Sequence, residues 1–241
     1  MKPLKSPDRP DVRRTIGAEC VANGAGGLSR RAALALGVGS LASVIGTGAS
    51  AAEPVRLVAL GDSLTAGYGL GPGEGFVPRL QKALRDGGLA VTVANAGVSG
   101  DTASGGADRL DWSTPEDTDG VIVALGANDM LRGVDPDVTR AALTRILDRL
   151  KARTIPAMLI GMRAAPNLGA AYVSAFDSIY ADLAQARGLV LYPFFLDGVV
   201  GDASLNLADG LHPNPRGVDV MVRGALPYVR RFVESLPAGR S

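Results

Sequence analysis

The stretch that decides the fold is Val-Arg-Leu-Val-Ala-Leu-Gly-Asp-Ser-Leu-Thr, residues 55–65. Its first six residues are mostly apolar, which is typical of a strand that is buried on both faces of a sheet. The run ends at a glycine, and an aspartate and a serine follow at once. Because ligands bind outside the carboxyl ends of the strands in an α/β sheet, this junction predicts a buried strand and a place for chemistry.

Four further apolar runs repeat this pattern along the chain and alternate with segments of helical spacing. The predicted strands are 55–60, 89–94, 121–125, 157–162 and 189–192, and the predicted helices are 76–84, 137–150, 171–186 and about 215–233. On the second helix, we expect Val138, Ala142, Ile146 and Leu150 to lie on one face. This alternation predicts a three-layer α/β/α domain with right-handed crossovers. We expect a flavodoxin-like, parallel five-stranded sheet in the order 2-1-3-4-5.

The composition excludes several classes of protein and of site. A chain of 241 residues, 46% hydrophobic and 20% charged, can bury one sizeable core, which excludes fibrous and disordered proteins. The chain has 25 basic and 24 acidic residues, so it lacks the excess of positive charge that is typical of a protein that binds nucleic acid. Cys20 is the only cysteine and His212 the only histidine. An intrachain disulfide and a cysteine-based zinc site are therefore excluded, and any imidazole chemistry must use His212.

The first 51 residues have the pattern of a targeting signal rather than of a folded domain. Arg30 and Arg31 precede an apolar stretch at 32–45, and the small-residue run at 46–52 offers an Ala-x-Ala cleavage site. The apolar stretch is too short and too diluted by glycine and serine to span a bilayer stably. We expect residues 1–51 to be a cleaved export signal. It resembles the twin-arginine type, although Ala33 stands where that motif usually has Phe. Export by the Sec route is the alternative. Residues 52–241 are then a single domain of a periplasmic or secreted protein, with no stable membrane span in the mature form.

Three polar segments follow neighbouring strands of the predicted sheet. Ser63 follows the first strand, Gly100 the second and Asn128 the third. A serine hydroxyl can attack an acyl carbon if a base takes its proton, and the oxyanion that forms needs hydrogen-bond donors. The N–H of Ser63, the N–H of Gly100 and the side-chain amide of Asn128 are three such donors. The sequence therefore predicts an acyl-transfer site at this edge of the sheet.

The base of this site must be His212, which lies in Asp-Gly-Leu-His-Pro-Asn-Pro at 209–215. Asp209 can accept the imidazole Nδ1–H, so that Nε2 faces the serine. The two prolines bias the residues before them away from helical backbone. We expect the last helix to begin with Asn214 as its N-cap and Pro215 at its first position, which holds His212 on a stiff loop outside the helix.

Other polar clusters have simpler interpretations. Asp62, Asp101 and Asp129 would be conceivable as a metal site, but we interpret them as caps that organise loops, because no histidine is spare. The alternating glycines at 67–75 match neither a dinucleotide fingerprint nor a phosphate-binding loop, and we expect them to form a mobile loop near the pocket. The predicted site requires no metal and no cofactor.

The whole set of motifs resembles a known family. Gly61-Asp-Ser-Leu64, the Gly100 block, Gly126-Ala-Asn-Asp129 and Asp209-x-x-His212 occur in the order of the four blocks of the SGNH, or GDSL, hydrolase superfamily. The phrases at 61–69, 128–133 and 192–196 are similar to its arylesterase, lysophospholipase and acyl-thioesterase branch. Ala127 stands where the similar thioesterases often have Gly, which affects the fine shape of the pocket.

The resemblance implies a serine esterase that acts through an acyl-enzyme. Its implied residues are Ser63 as nucleophile, His212 as base and Asp209 as the group that orients it, with Ser63, Gly100 and Asn128 as the oxyanion hole. The expected partner is a small-molecule ester with a small to medium acyl group, and the apolar segment 162–172 is expected to line the acyl site. Two alternatives stay open: a carbohydrate O-deacetylase with the same residues, and an exported binding protein with an inert Ser63.

Overall fold

The computed structural model of the protein describes residues 53–237. The predicted export signal, residues 1–51, lies outside the described residues. Five strands form one parallel sheet: β1 (Val55–Gly61), β2 (Val91–Gly97), β3 (Gly120–Ala124), β4 (Ala157–Ile160) and β5 (Leu191–Tyr192). Their order is β2-β1-β3-β4-β5, and every neighbouring pair is parallel. The predicted strand order is confirmed.

Eight α-helices connect and cover the strands within the described part of the chain. They are α1 (Ser63–Ala66), α2 (Phe76–Asp86), α3 (Ala103–Asp108), α4 (Leu110–Ser113), α5 (Ala127–Leu131), α6 (Pro136–Ala152), α7 (Ala170–Arg187) and α8 (Pro215–Glu234), with 3₁₀ turns at Pro166–Leu168 and Ala203–Leu205. Helix α2 packs against α8, whereas α6 packs against α3 and α7. Right-handed crossovers that leave β1 and β3 in opposite directions put these two groups on opposite faces of the sheet. The result is the predicted three-layer α/β/α architecture.

The core lies on both faces of the central strands. All five residues of β3 are buried, and Leu57 and Leu60 of β1 have almost no exposed surface. On α6, the buried residues are Thr139, Ala142, Leu143, Ile146, Leu147 and Leu150. Of the four residues predicted to share one face of this helix, Ala142, Ile146 and Leu150 are buried. Val138 is 49% exposed, because it lies in the first turn, at the end of the helix.

Side-chain caps begin two of the long helices, α6 and α8. Asn214 accepts hydrogen bonds from the backbone N–H groups of Arg216 and Gly217, and Pro215 occupies the first helical position of α8. The predicted start of this helix is confirmed. Asp135 caps α6 in the same way, ahead of Pro136. None of the helices within residues 53–237 combines the length and the apolar character that crossing a bilayer requires.

The strand register brings three turns to the same height. Gly61 of β1 is level with Gly97 of β2 and with Ala124 of β3. The chain leaves β1 toward β2 and then returns across β1 to β3, so the order of the strands reverses here. Such a switch point opens a crevice at the carboxyl edge of the sheet. The segments that follow these three strands therefore meet at one place.

Candidate active site

Ser63 begins the short helix α1 directly after β1. Asp62 is the N-cap of this helix, and its buried carboxylate accepts a hydrogen bond from the backbone N–H of Leu64 at 3.0 Å. Gly67 ends the helix in the left-handed region, at φ 84°, where an L side chain would be strained. Ser63 is thus held at the first position of a helix whose two ends are both fixed.

His212 reaches Ser63 although 149 positions separate them in the sequence. The imidazole Nε2 lies 2.9 Å from Ser63 Oγ, and its Nδ1 lies 2.7 Å from Asp209 Oδ2. The His212 side chain is 21% exposed, so the imidazole faces the site rather than bulk water. The structure therefore brings Ser63, His212 and Asp209 into one hydrogen-bonded series.

The loop around His212 is fixed by its own backbone. Asp209 Oδ1 accepts hydrogen bonds from the N–H groups of Leu211 and His212, at 2.9 and 3.0 Å. The backbone N–H of Leu207 donates to the His212 carbonyl at 2.7 Å. The backbone donors of His212 and Leu211, followed by the imidazole contact, lower the pKa of Asp209 from 3.8 to about 2. Asp209 is therefore ionised at any pH where the protein would be assayed.

The turn that carries Gly100 is hydrogen-bonded both to the end of β1 and to Asn128. Val98 to Asp101 form a turn in which the Asp101 N–H donates to the Val98 carbonyl, and Gly100 takes the third position at φ 86°. That position of a type II turn requires a positive φ, which explains the glycine. Asn128 lies in the first turn of α5, and its Nδ2 donates to the Asp101 carbonyl at 2.9 Å. This contact orients the amide so that its second N–H remains for a ligand.

The aspartates that follow the strands act as local hydrogen-bond partners. Asp62 caps α1, Asp101 pairs with Arg109 at 2.6 Å, and Asp129 accepts from the Ala103 N–H and the Thr139 hydroxyl. The interpretation as a helix cap is confirmed for Asp62, whereas Asp101 and Asp129 tie segments together by longer-range contacts and Thr102 caps α3. Within residues 53–237, no group of three His, Cys, Asp or Glu side chains is placed to hold a metal ion.

Asp62 has a further electrostatic property. Its side chain is buried at 1% exposure, and burial raises its pKa from 3.8 to about 6, although the Leu64 N–H partly opposes the shift. A nearby aspartate, Asp129, adds to the rise. A carboxyl group beside Ser63 therefore changes its charge near neutral pH.

A cavity of about 400 Å³ opens directly onto Ser63, Asn128 and His212. Apart from these polar groups its wall is mainly apolar, with Leu64, Met130, Leu131, Met162, Leu196 and Leu211 among the lining residues. Met162 and Ala165 come from the segment 162–172, which was expected to line an acyl site. Another cavity, of about 470 Å³, lies at the amino ends of β4 and β5, beside Pro156 and Leu189, far from Ser63. A mainly apolar pocket with a few converging polar groups is the usual form of a ligand site.

Two contacts of the site were not predicted from the sequence. The ring of Tyr68 lies 4.5 Å from the imidazole of His212, centroid to centroid. Tyr68 belongs to the glycine-rich loop, so the loop lies near the pocket as expected. Arg109 donates to the Gly61 carbonyl at the end of β1. The alternation of glycines around Tyr68 was the only signal for the first contact, and the sequence carries none for the second.

A parallel α/β/α sheet with a Ser-His-Asp series at its carboxyl edge defines a class, the serine-dependent acyl hydrolases. Residues 59–220 match the model of the GDSL-like lipase/acylhydrolase family. The chain belongs to this family. It is a carboxylic ester hydrolase, as its resemblance to the SGNH superfamily implied.

Curated relatives and solved structures agree with this assignment. The chain is 39% identical to esterase TesA of Pseudomonas aeruginosa over 176 residues, which cover 73% of this chain and 87% of the relative. It is 37% identical to an arylesterase of Vibrio mimicus, over 74% of this chain and 86% of the relative. The crystal structure of AlinE4, described as an SGNH-hydrolase family esterase, superimposes with a TM-score of 0.64 at 44% identity, over 78% of this chain and 100% of the other.

Proposed function

We propose that the protein hydrolyses esters of small to medium acyl groups through an acyl-enzyme on Ser63. The observation that carries the proposal is the series of contacts from Ser63 Oγ to His212 Nε2 at 2.9 Å and from His212 Nδ1 to Asp209 at 2.7 Å. This geometry lets one imidazole take the serine proton while a carboxylate holds the ring in the required tautomer.

In the first step, Ser63 Oγ attacks the ester carbonyl carbon as His212 Nε2 takes the hydroxyl proton. The new C–O bond turns the carbonyl oxygen into an oxyanion, and Asp209 stabilises the imidazolium that forms. His212 then gives the proton to the leaving alcohol as its C–O bond breaks. Asp209 can hold its charge throughout, because the backbone donors keep its pKa at about 2.

Three donors are assigned to the oxyanion. The N–H of Ser63 is at the first position of α1, where a helix has no internal acceptor for it. The N–H of Gly100 comes from the turn after β2. The second N–H of Asn128 is the third donor, because the first is used on the Asp101 carbonyl.

The second step releases the acyl group. Water attacks the acyl-enzyme carbonyl while His212 takes one of its protons, and the same donors hold the second oxyanion. The bond to Ser63 Oγ breaks, the proton returns to Oγ, and the carboxylic acid leaves. No cofactor enters this cycle.

The substrate class follows from the pocket. Its largely apolar wall and its volume of about 400 Å³ favour an aliphatic or aromatic acyl ester over a strongly polar one. Relatives of the chain are named arylesterase and thioesterase 1/protease 1/lysophospholipase L1, the latter from Escherichia coli K12. Aryl esters and lysophospholipids are therefore the first candidate substrates.

Export from the cytoplasm is part of the proposal and rests on residues 1–51. The arginine pair, the apolar stretch and the Ala-x-Ala site at 49–51 are its support. Fractionation of cells that express the full chain, with N-terminal sequencing of the exported form, should place the new terminus at residue 52. Recovery of the uncut chain in the cytoplasm alone would contradict export.

Hydrolysis of p-nitrophenyl acetate, butyrate and octanoate tests the substrate class. We expect turnover of all three, with the higher kcat/KM on butyrate or octanoate, because apolar acyl surface is buried in the pocket. Turnover of acetate alone would instead indicate a carbohydrate O-deacetylase. An absence of both burst and turnover would indicate a binding protein with an inert serine.

A further inference from the structure

The side chain of Arg109 connects two of the turns that carry the site. Arg109 lies at the junction of α3 and α4, and its Nε donates to the Asp101 carboxylate at 2.6 Å. Its Nη2 donates to the Gly61 carbonyl at 2.9 Å, and its Nη1 to the Ser113 hydroxyl at 2.9 Å. Gly61 precedes Ser63 by two residues, and Asp101 directly follows Gly100. One guanidinium therefore links the nucleophile turn to the turn after β2.

The link continues from Asp101 to Asn128. The backbone carbonyl of Asp101 accepts the hydrogen bond from Asn128 Nδ2, at 2.9 Å. The Gly61 carbonyl also accepts from the N–H of Val98 at 3.0 Å, at the start of the Gly100 turn. Hydrogen bonds that include those of Arg109 thus join the three segments that carry the groups assigned to the oxyanion.

The chemistry of arginine suits this task. The side chains of Arg109 and Asp101 are only 17% and 19% exposed, so solvent screens their contact less than it screens a surface ion pair. The planar guanidinium donates in several fixed directions at once, which the point charge of a lysine cannot reproduce. Oxyanion donors must be held to within about 0.5 Å of their working positions. A rigid group between two turns meets that requirement.

We propose that Arg109, together with Asp101, is a positioning residue that sets the spacing of the oxyanion donors Ser63 N–H, Gly100 N–H and Asn128 Nδ2. The inference rests on the proposed function, because it concerns the same site. Arg109 acts through the backbone at Gly61 and Asp101, and its contacts include neither His212 nor the cavity wall. Its loss should weaken stabilisation of the transition state and leave substrate binding and the imidazole unchanged.

The test compares Arg109→Lys with Arg153→Lys. Arg153 is a matched control, since its side chain is 20% exposed and donates to both the hydroxyl and the carbonyl of Thr114, but it lies at the amino edge of the sheet. For Arg109→Lys we expect kcat on p-nitrophenyl butyrate to fall about 10- to 100-fold with KM within about twofold, since small misplacements in a site are that costly. Arg153→Lys should lower the melting temperature and keep the wild-type kcat.

Two further readouts separate positioning from general destabilisation. The ratio of wild-type to Arg109→Lys kcat should be the same at several pH values, because Arg109 contacts neither His212 nor Asp209. In a double-mutant cycle, Arg109→Lys should cost less in an Asn128→Ala background than in the wild type, since both changes act on one donor set. If Arg109→Lys fails to fold, Asp101→Asn is used instead, because it removes the ion pair and keeps the backbone carbonyl that binds Asn128.

Clear results would overturn the inference. A folded Arg109→Lys or Asp101→Asn with wild-type kcat would show that the pair does not position the donors. The same conclusion would follow if Arg109→Lys lowered kcat by the same factor in the Asn128→Ala background as in the wild type. An equal loss of kcat in Arg153→Lys would show that Arg109 contributes only to the stability of the fold. These outcomes differ from failure of the proposed function, in which the wild-type protein itself would hydrolyse no ester.

Discussion

Ser63 and His212 show how far single residues could be assigned from the sequence. With one histidine in the chain, the base of any serine chemistry had one candidate, and Asp209 at three residues' distance was its natural partner. The observed contacts at 2.9 and 2.7 Å agree with that pairing. Arg109 could not be found in this way, because a hydrogen bond from an arginine to a distant backbone carbonyl leaves no pattern in the sequence.

Asn128→Ala tests the proposed oxyanion donor at this scale. We expect kcat to fall by about 10² to 10³, because one donor to the developing charge is lost. KM should change little, since the ground-state ester carries no such charge. Steady-state kinetics on p-nitrophenyl butyrate measures both values, and circular dichroism checks the fold. An undiminished kcat would remove Asn128 from the mechanism.

Asp62→Asn tests the consequence of the buried carboxyl. Burial raises the pKa of Asp62 to about 6, so the folded protein keeps a proton that the unfolded chain loses near 3.8. The stability that Asp62 contributes is therefore present at low pH and is lost as the pH rises from about 4 through about 6. Asparagine does not titrate, and its side-chain oxygen can still accept from Leu64 N–H. The melting temperature of the variant minus that of the wild type should be larger at pH 7.5 than at pH 4.5. A difference that does not change with pH would contradict a raised pKa of Asp62.

At the scale of helices and strands, the sequence predicts which elements exist better than it predicts where each one begins and ends. The second strand was expected at 89–94 but runs over Val91–Gly97, because its hydrogen bonds to β1 continue after its side chains leave the core. The fourth and fifth strands are shorter than their apolar runs. Helix α1, which carries Ser63, was not predicted, since four residues complete barely one helical turn and show no periodicity.

Gly97→Ala tests the packing of β2 against α1. A Cβ at Gly97 would collide with the backbone N of Ala66 and would lie 2.8 Å from the Asp62 carbonyl oxygen. Backbone atoms cannot rotate away, so α1 must shift and move Ser63 with it. We expect a loss of about 1–3 kcal/mol in the free energy of unfolding and a lower kcat. Denaturant unfolding and ester turnover measure the two effects, and wild-type values for both would show that the contact is not tight.

At the scale of the whole molecule, the position of the site follows from the strand order. The alternation of strands and helices with right-handed crossovers leaves few possible orders, and the observed order agrees with the prediction. The segments that carry Ser63, Gly100 and Asn128 meet because β1, β2 and β3 are neighbours with aligned ends. The path of residues 193–214, which returns His212 to this edge, has no strand or α-helix and could not be derived from periodicity.

The most direct measurement is the reaction of the protein with a fluorophosphonate, followed by intact-mass and peptide analysis. Ser63 Oγ should attack phosphorus and displace fluoride as His212 takes the serine proton. We expect a single adduct, on the peptide that contains Ser63, with parallel loss of ester hydrolysis. Ser63→Ala should fold normally, take up no label and lack turnover. An adduct at another residue would contradict the claim that Ser63 is the nucleophile. Ester hydrolysis that persists in Ser63→Ala would contradict it as well.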